Sequence, residues 1–261
     1  MKIYRNSIYI IIIAILCSCS EMIEFSPYDT GLKSSNLNNF YTENLNAYRP
    51  VNNDTLSFAV LSDSHFYYDK LNNAVNSINK RAGISFVAMI GDLTDSGLSS
   101  EYEFYWKRMR KLHLPIISVI GNHDCLSNGY INYTRMFGDP NFSFICGDYK
   151  FIAFNSTVWE NGNKMPDFNW LKNEVENSDQ KCVILTHIPP WGDQFTDEMR
   201  NKYYEIANLP EVVLNVHGHE HRHQDTVIMG KRYIVNEALF ENEYYIVRLI
   251  NDNVLVETVH F

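Results

Sequence analysis

Ile84-Ser85-Phe86-Val87-Ala88-Met89-Ile90-Gly91-Asp92-Leu93-Thr94-Asp95 reads as a buried strand with a carboxylate at its end. The run from Ile84 to Ile90 is apolar almost throughout, Gly91 turns the backbone, and Asp92 is delivered just past the turn. In α/β proteins that rim of a sheet is where chemistry collects. Four other apolar runs in the chain also end in residues that ligate metals, so this stretch sets the frame for the rest.

The chain has 261 residues, of which 45 % are apolar and 20 % charged. That is enough for one sizeable core and short for two full domains. A formal net charge of −9 argues against a general nucleic-acid binder, which carries a basic stripe. No specific nucleic-acid binding is therefore expected. A phosphorylated small-molecule substrate stays compatible with the charge, because bound metal ions invert a local potential.

Lys2 and Arg5 precede an apolar run from Ile8 to Leu16. A membrane-spanning helix needs about 18 or more apolar residues, and this run has about half of that. The pattern predicts a signal peptide over residues 1–18. Leu16-Cys17-Ser18-Cys19 resembles a bacterial lipoprotein processing site, with small Ser18 just ahead of Cys19. Cys19 is the expected lipidation site, with ordinary signal cleavage nearby as the alternative. The chain is thus expected to be exported and held at the cell envelope by an N-terminal lipid anchor, in a leaflet left open. Cys125, Cys146 and Cys182 would remain, too few for a disulfide framework.

Residues 19–54 are rich in Ser, Asn and Tyr with weak periodicity, and read as a tether, free or in part packed on the body, ahead of a domain over 55–261. Apolar runs predict strands over 56–61, 84–90, 116–120, 142–145, 150–154, 183–185 and 212–216. Helical spacing appears over 71–81, 99–112, 170–175 and 199–207. Runs at 226–229, 233–235, 244–249 and 254–259 read as antiparallel strands. The expectation is an α/β domain with a mixed, two-layered β core and helices outside.

Five strand ends carry Asp63 and His65; Asp92 and Asp95; Asn122, His123 and Asp124; His187; and His219 and His221. A lone Asp after a strand is usually a turn or helix cap, and a lone His is usually a satisfied core or surface residue. Their conjunction at one rim is what matters. Carboxylate, imidazole and amide oxygen suit divalent ions such as Mn, Fe, Zn or Ni. No cysteine joins them, which disfavours a structural zinc site. Asp63, His65, Asp92, Asn122, His187, His219 and His221 are too many for one ion. With one bridging carboxylate they suit two divalent metal ions about 3.5–4 Å apart.

Asp63-Ser64-His65, Gly91-Asp92-Leu93-Thr94-Asp95, Gly121-Asn122-His123-Asp124, Thr186-His187 and Gly218-His219-Glu220-His221 resemble, in order and residue type, the five signature blocks of the calcineurin-like metallophosphoesterase superfamily. The resemblance spans residues 56–221. It implies a four-layer α/β/β/α sandwich of two mixed β-sheets flanked by helices. It implies that Asp63, His65, Asp92 and His221 bind one ion, and Asp92, Asn122, His187 and His219 the other, with Asp92 shared. It also implies a metal-bridging hydroxide as nucleophile. His123 would face the phosphate and protonate the leaving oxygen or stabilise developing charge. Asp95 would orient His123 by accepting its other ring proton, a turn or helix-cap role being the alternative. His217 and His223 have no ligand role in the pattern and line the pocket or are solvated. Trp191, after Pro189-Pro190, walls the cleft or belongs to the core.

Departures from subfamily patterns narrow the expectation. Purple acid phosphatases carry Tyr where Asp95 stands and lack His at position 65. Phosphoprotein phosphatases have Arg-Gly where this chain has Ser96-Gly97. The blocks look most like the small phosphodiesterase-type members. The expected activity is an exported, dimetal-dependent hydrolysis of phosphodiester and/or phosphomonoester bonds. The alternatives are an exported nucleotide or sugar-nucleotide phosphatase or pyrophosphatase, and a non-catalytic surface lipoprotein that binds a ligand. Metal identity, natural substrate and oligomeric state are open from the sequence.

Overall fold

In the computed structural model, β1 (Leu56–Leu61), β2 (Phe86–Ile90) and β3 (Ile116–Val119) are buried at every residue. A strand with no solvated side needs cover on both faces, and the two-residue period of the strand shows what covers each. Ala59, Leu61, Val87, Met89 and Ile116 pack against helical residues, among them Leu71, Val75, Tyr102, Met109 and Tyr133. Their alternates Phe58, Val60, Phe86, Ala88, Ile117 and Val119 pack against a second sheet through Phe144, Phe151, Val183, Leu185, Leu214 and Val216. The outer face of that second sheet, through Ile152, Ile184 and Tyr233, meets a further pair of helices. The result is a four-layer α/β/β/α sandwich. The structure describes residues 30–47, 55–251 and 253–261. The expected signal peptide, Cys19 and parts of the expected tether lie outside the described residues.

Both sheets are mixed. The first has the order β11-β10-β1-β2-β3, with β10 (Glu243–Ile250) and β11 (Asn253–His260) antiparallel to their neighbours and β1, β2 and β3 parallel. The second is ordered β4-β5-β6-β7-β9-β8. In it β5 (Tyr149–Ala153), β6 (Lys181–Leu185), β7 (Val212–His217) and β9 (Lys231–Val235) run parallel. Hairpin partners β4 (Phe142–Cys146) and β8 (Gln224–Ile228) form its edges. Parallel neighbours need crossovers. α2 (Tyr68–Ile78) and α3 (Ser99–Met109) supply them in the first sheet, and α5 (Phe168–Glu176) and α6 (Asp197–Ala207) in the second. Within each sheet the parallel strands end at the same rim, and the five blocks sit there.

Two helices depart from the sequence reading. α1 (Leu37–Asn46) lies inside the expected tether, yet belongs to the folded body. Asn38, only 1 % exposed, donates from Nδ2 to the Ser118 carbonyl at 2.8 Å and accepts from the Ser118 amide at 2.9 Å. The Asn38 amide thus acts as a single extra ladder rung on β3, an edge strand that would otherwise expose its backbone. Leu45 of α1 enters the core between the sheets. Few apolar positions mark this helix in the sequence, because its stability comes from tertiary contacts. α4 (Gly129–Phe137), to which the reading assigns no element, buries Tyr133, Met136 and Phe137 over the first sheet.

Glu174 on α5 fastens the β4–β5 hairpin. Its carboxylate accepts from Ser143 Oγ at 2.6 Å and pairs with Lys150 Nζ at 2.9 Å. Burial raises its pKa, but these donors more than reverse that, so the folded value lies below the ordinary 4.5. A lowered carboxylate pKa stabilises the fold above the unfolded value, and the contribution is lost as pH falls through the folded one. We expect Glu174→Gln to lose about 1 kcal/mol in denaturant melts near neutral pH. The two proteins should converge as pH falls through the lowered folded pKa of Glu174; a gap undiminished on that descent would contradict this role for the charge.

Candidate metal centre

Three of the five blocks leave their strands through left-handed backbone. Asp63, His65, Asp92, His219 and His221 all lie in the left-handed region, with φ of 53°, 42°, 51°, 71° and 48°. Asp and His enter that region more readily than most residues, but each such residue costs about 1 kcal/mol or more. The surroundings hold them there. Asp63 and His65 donate their amides to the carbonyls of Gly91 and Asp92, both at 3.1 Å. His219 donates its amide to Asp63 Oδ2 at 3.1 Å, and His123 donates its amide to Asp92 Oδ1 at 2.9 Å. Two glycines allow the close approach. A Cβ on Gly121 would lie 2.1 Å from the Asp92 nitrogen, and one on Gly91 would lie 2.3 Å from His187 Nδ1.

All seven expected ligand residues converge. His221 Nε2 is 3.1 Å from Asp63 Oδ1, and His187 Nε2 is 3.3 Å from Asp92 Oδ2. His65 Nε2 is 3.7 Å from Asp92 Oδ2. Asn122 Oδ1 lies 3.2 Å from His187 Nε2 and 3.0 Å from His219 Nδ1. Two groups of potential ligand atoms emerge, Asp63/His65/Asp92/His221 and Asp92/His187/His219, with Asp92 in both. Asn122 adjoins the second. A third grouping, His65/Asp95/His123, shares His65 with the first.

The donor set fits divalent cations. His187 donates Nδ1–H to the Ile90 carbonyl at 2.7 Å, which leaves the Nε2 lone pair aimed into the cluster. Among the described residues, neither ring nitrogen of buried His65 has a hydrogen bond, and its Nε2 faces the Asp92 carboxylate at 3.7 Å. Burial lowers the pKa of His187, but contact with Asp92 and the nearby Asp63 outweigh it and push it up to about 10. Burial raises Asp92, and His187 overrides that to hold the carboxyl well below its usual range. Two buried carboxylates therefore call for positive charge between them, which divalent ions provide without a proton.

His123 is held by the main chain of Asp95. Its Nδ1–H donates to the main-chain carbonyl of Asp95 at 2.7 Å, whereas the Asp95 carboxylate lies 3.4 Å from His65 Nδ1. Asp95 thus orients His123 through its backbone, because the short turn from Asp92 brings that carbonyl against the ring. Burial lowers the pKa of His123, but the Asp92 charge and the Asp95 bond outweigh it, so the net shift is upward. His217 is neither solvated nor pocket-lining. It is fully buried, stacked on Tyr233 at an interplanar angle of 9°, and pushed down to about 3 by burial. Trp191 packs beside it, 5.8 Å away, partly buried against the core. His223 lies near the surface, 2.5 Å from the Tyr245 hydroxyl through Nδ1.

Other supporting residues have no role in the sequence reading. The Asp124 carboxylate accepts from the amides of Leu93, Thr94 and Gly121 at 3.1, 3.0 and 2.9 Å and from Thr94 Oγ1 at 2.9 Å. The loop after β5 is a sixth block at the same rim. Ser156 Oγ accepts from the Ile188 amide at 2.9 Å, next to His187, and Glu160 reaches Asn122. The signal is present, since the β5 run ends in Asn155-Ser156-Thr157, but it holds no carboxylate or imidazole.

The profile of calcineurin-like phosphoesterases matches residues 56–223. The chain is 25 % identical over 150 residues to the serine/threonine-protein phosphatase CPPED1 of Homo sapiens, covering 48 % of each. It is 25 % identical over 160 residues to a 3′,5′-cyclic-nucleotide phosphodiesterase of Nostoc sp., covering 54 % of this chain and 58 % of that one. The chain thus spans about half the length of the curated relatives it matches. Their names fall on both sides of the monoester–diester division. A dimetal phosphatase from Danio rerio shares the fold, with a TM-score of 0.62 at 12 % identity, over 79 % of this chain and 98 % of that one. With the profile covering well over half of its length and the five blocks gathered at one rim, the chain belongs to the calcineurin-like phosphoesterase family.

Proposed function

We propose that this protein is a metal-dependent phosphoester hydrolase that prefers phosphodiesters and also accepts phosphomonoesters. The position of Asp92 in both ligand groups carries the reading. Asp63, His65, Asp92 and His221 would hold one divalent ion, and Asp92, Asn122, His187 and His219 a second; Mn, Fe, Zn and Ni all suit these donors. Such ions, when bound, supply Lewis-acid polarisation of the phosphoryl group and an activated water. The chain's own residues do the rest. Ile90 and Asp95 fix the rings of His187 and His123 through their carbonyls. His123, with its pKa raised, holds a proton for the leaving oxygen.

Charge favours the diester. Among the described residues, every ion pair made by the seven ligand residues is between His and Asp, and none involves Lys or Arg. Asp193 approaches His219 at 3.5 Å, and Glu160 contacts Asn122. A monoanionic diester meets less repulsion from these acids than a dianionic monoester. A second reading, a phosphatase or pyrophosphatase of nucleotides, draws support from an aromatic rim. Phe240 lies 5.9 Å from His221 and 5.6 Å from Tyr67, whose ring is 4.6 Å from exposed Phe66. Such rings can stack on a base.

Export and lipid anchoring at Cys19 complete the proposal, supported by Lys2, Arg5, the apolar run and the Leu16-Cys17-Ser18-Cys19 sequence. Cys19→Ala should leave the membrane fraction; unchanged fractionation would refute the anchor. Metal-stripped protein reloaded with Mn, Fe, Zn or Ni should hydrolyse nitrophenyl diesters faster than the monoester. Faster monoester turnover would overturn the charge reasoning, and no turnover with any ion would leave a ligand-binding protein. His123→Ala should keep its metals and lose about 10²–10⁴-fold in rate, most for poor leaving groups. An equal loss across leaving groups would exclude proton donation.

A further inference from the structure

A carboxamide can face either way, and only one orientation of Asn122 presents oxygen to His187 and His219. A directional chain of hydrogen bonds decides which. The backbone amides of Val158 and Trp159 can only donate, and both donate to Gln194 Oε1, at 3.1 and 3.0 Å. Gln194, 3 % exposed, must then turn Nε2 the other way, and it donates to Glu160 Oε2 at 2.9 Å. The Glu160 carboxylate can only accept, and its Oε1 takes Asn122 Nδ2 at 3.1 Å. Asn122 Oδ1 is thereby left facing the imidazoles, 3.2 Å from His187 Nε2 and 3.0 Å from His219 Nδ1. Each link has one polarity, so the orientation of Asn122 is fixed from two backbone amides one loop away.

We propose that Glu160 is a positioning residue of the metal centre: it fixes the Asn122 amide so that the carbonyl oxygen, not the NH2 group, meets the ion held with His187 and His219. A flipped Asn122 would direct two N–H donors at a cation. The arrangement parallels the carboxylate partners that orient metal-bound histidines, whose loss weakens metal binding about 10–100-fold. The inference rests on the two-ion reading above.

The test is calorimetric titration of the metal-stripped full chain with Mn²⁺. The parent should show two binding steps; a single step would sink the two-ion reading itself, and with it this inference. Given two steps, Glu160→Ala should weaken one by about 10–100-fold and leave the other unchanged. Glu160→Gln is the sharper variant. It keeps size and shape, but puts an NH2 group where one of the two carboxylate oxygens accepts, opposite the NH2 of either Gln194 or Asn122, so it should also weaken one step by about tenfold or more. A role confined to packing would be rescued by the isosteric Gln. Parent-like binding of both ions by Glu160→Gln would overturn the proposal, as would an equal fall in both steps.

Discussion

The carboxylate of Asp124 is the point on which the centre depends. It is fully buried and has no cationic side chain as partner among its hydrogen bonds, a costly state for a charge. Burial and the Asp92 charge push it up to about 7, against four donors that favour the anion. Three of those donors are backbone amides from two separate loops, after β2 and after β3. Through one side chain the two loops become a single piece. Without it, those amides would be buried and unpaired, at about 1–3 kcal/mol each. Asp92, Asp95, Asn122 and His123 all sit on the piece so formed.

That coupling explains how left-handed backbone persists at five ligand positions. Strain of this kind survives only where the surroundings over-determine it. Here amide bonds from the first loop reach the second, an amide from the last loop reaches Asp63, and Gly121 and Gly91 leave no room for a looser arrangement. The cost is spread over several strand ends, each anchored in a strand buried on both faces. Side chains held in this way need little reorganisation to receive an ion, which is what a precise coordination site requires.

The strands that lead into the blocks were legible in the sequence because each is a largely apolar run, and the ligand residues because each follows such a run. Neither signal extends to groups that act through the backbone or through neutral contacts. The Asp95 carboxylate is visible in a sequence; that its carbonyl, not its carboxylate, holds His123 is a matter of how the turn lies. α1 offered only scattered apolar residues, since its key side chain, Asn38, is polar and completes the ladder of β3. Glu160 and Gln194 lie apart from every signature block and meet Asn122 only when the loops after β5 and β6 fold together.

The electrostatic balance of the rim links fold to chemistry. Among the described residues, no lysine or arginine pairs with the ligand residues, while Asp95, Asp193 and Glu160 surround them with negative charge. On the proposed reading, a phosphate ester approaching such a surface is attracted by bound cations, in a chain whose net charge of −9 otherwise repels it. Binding and catalysis would then rest on the same ions. Selectivity among esters must then come from what lies beyond the ions: the acids that penalise extra negative charge, and the aromatic rim from Phe66 to Phe240 that rewards a flat substituent. Asp193, Glu160, Phe66 and Phe240 lie outside the five blocks, so members of one family can share the centre and differ in the ester they accept.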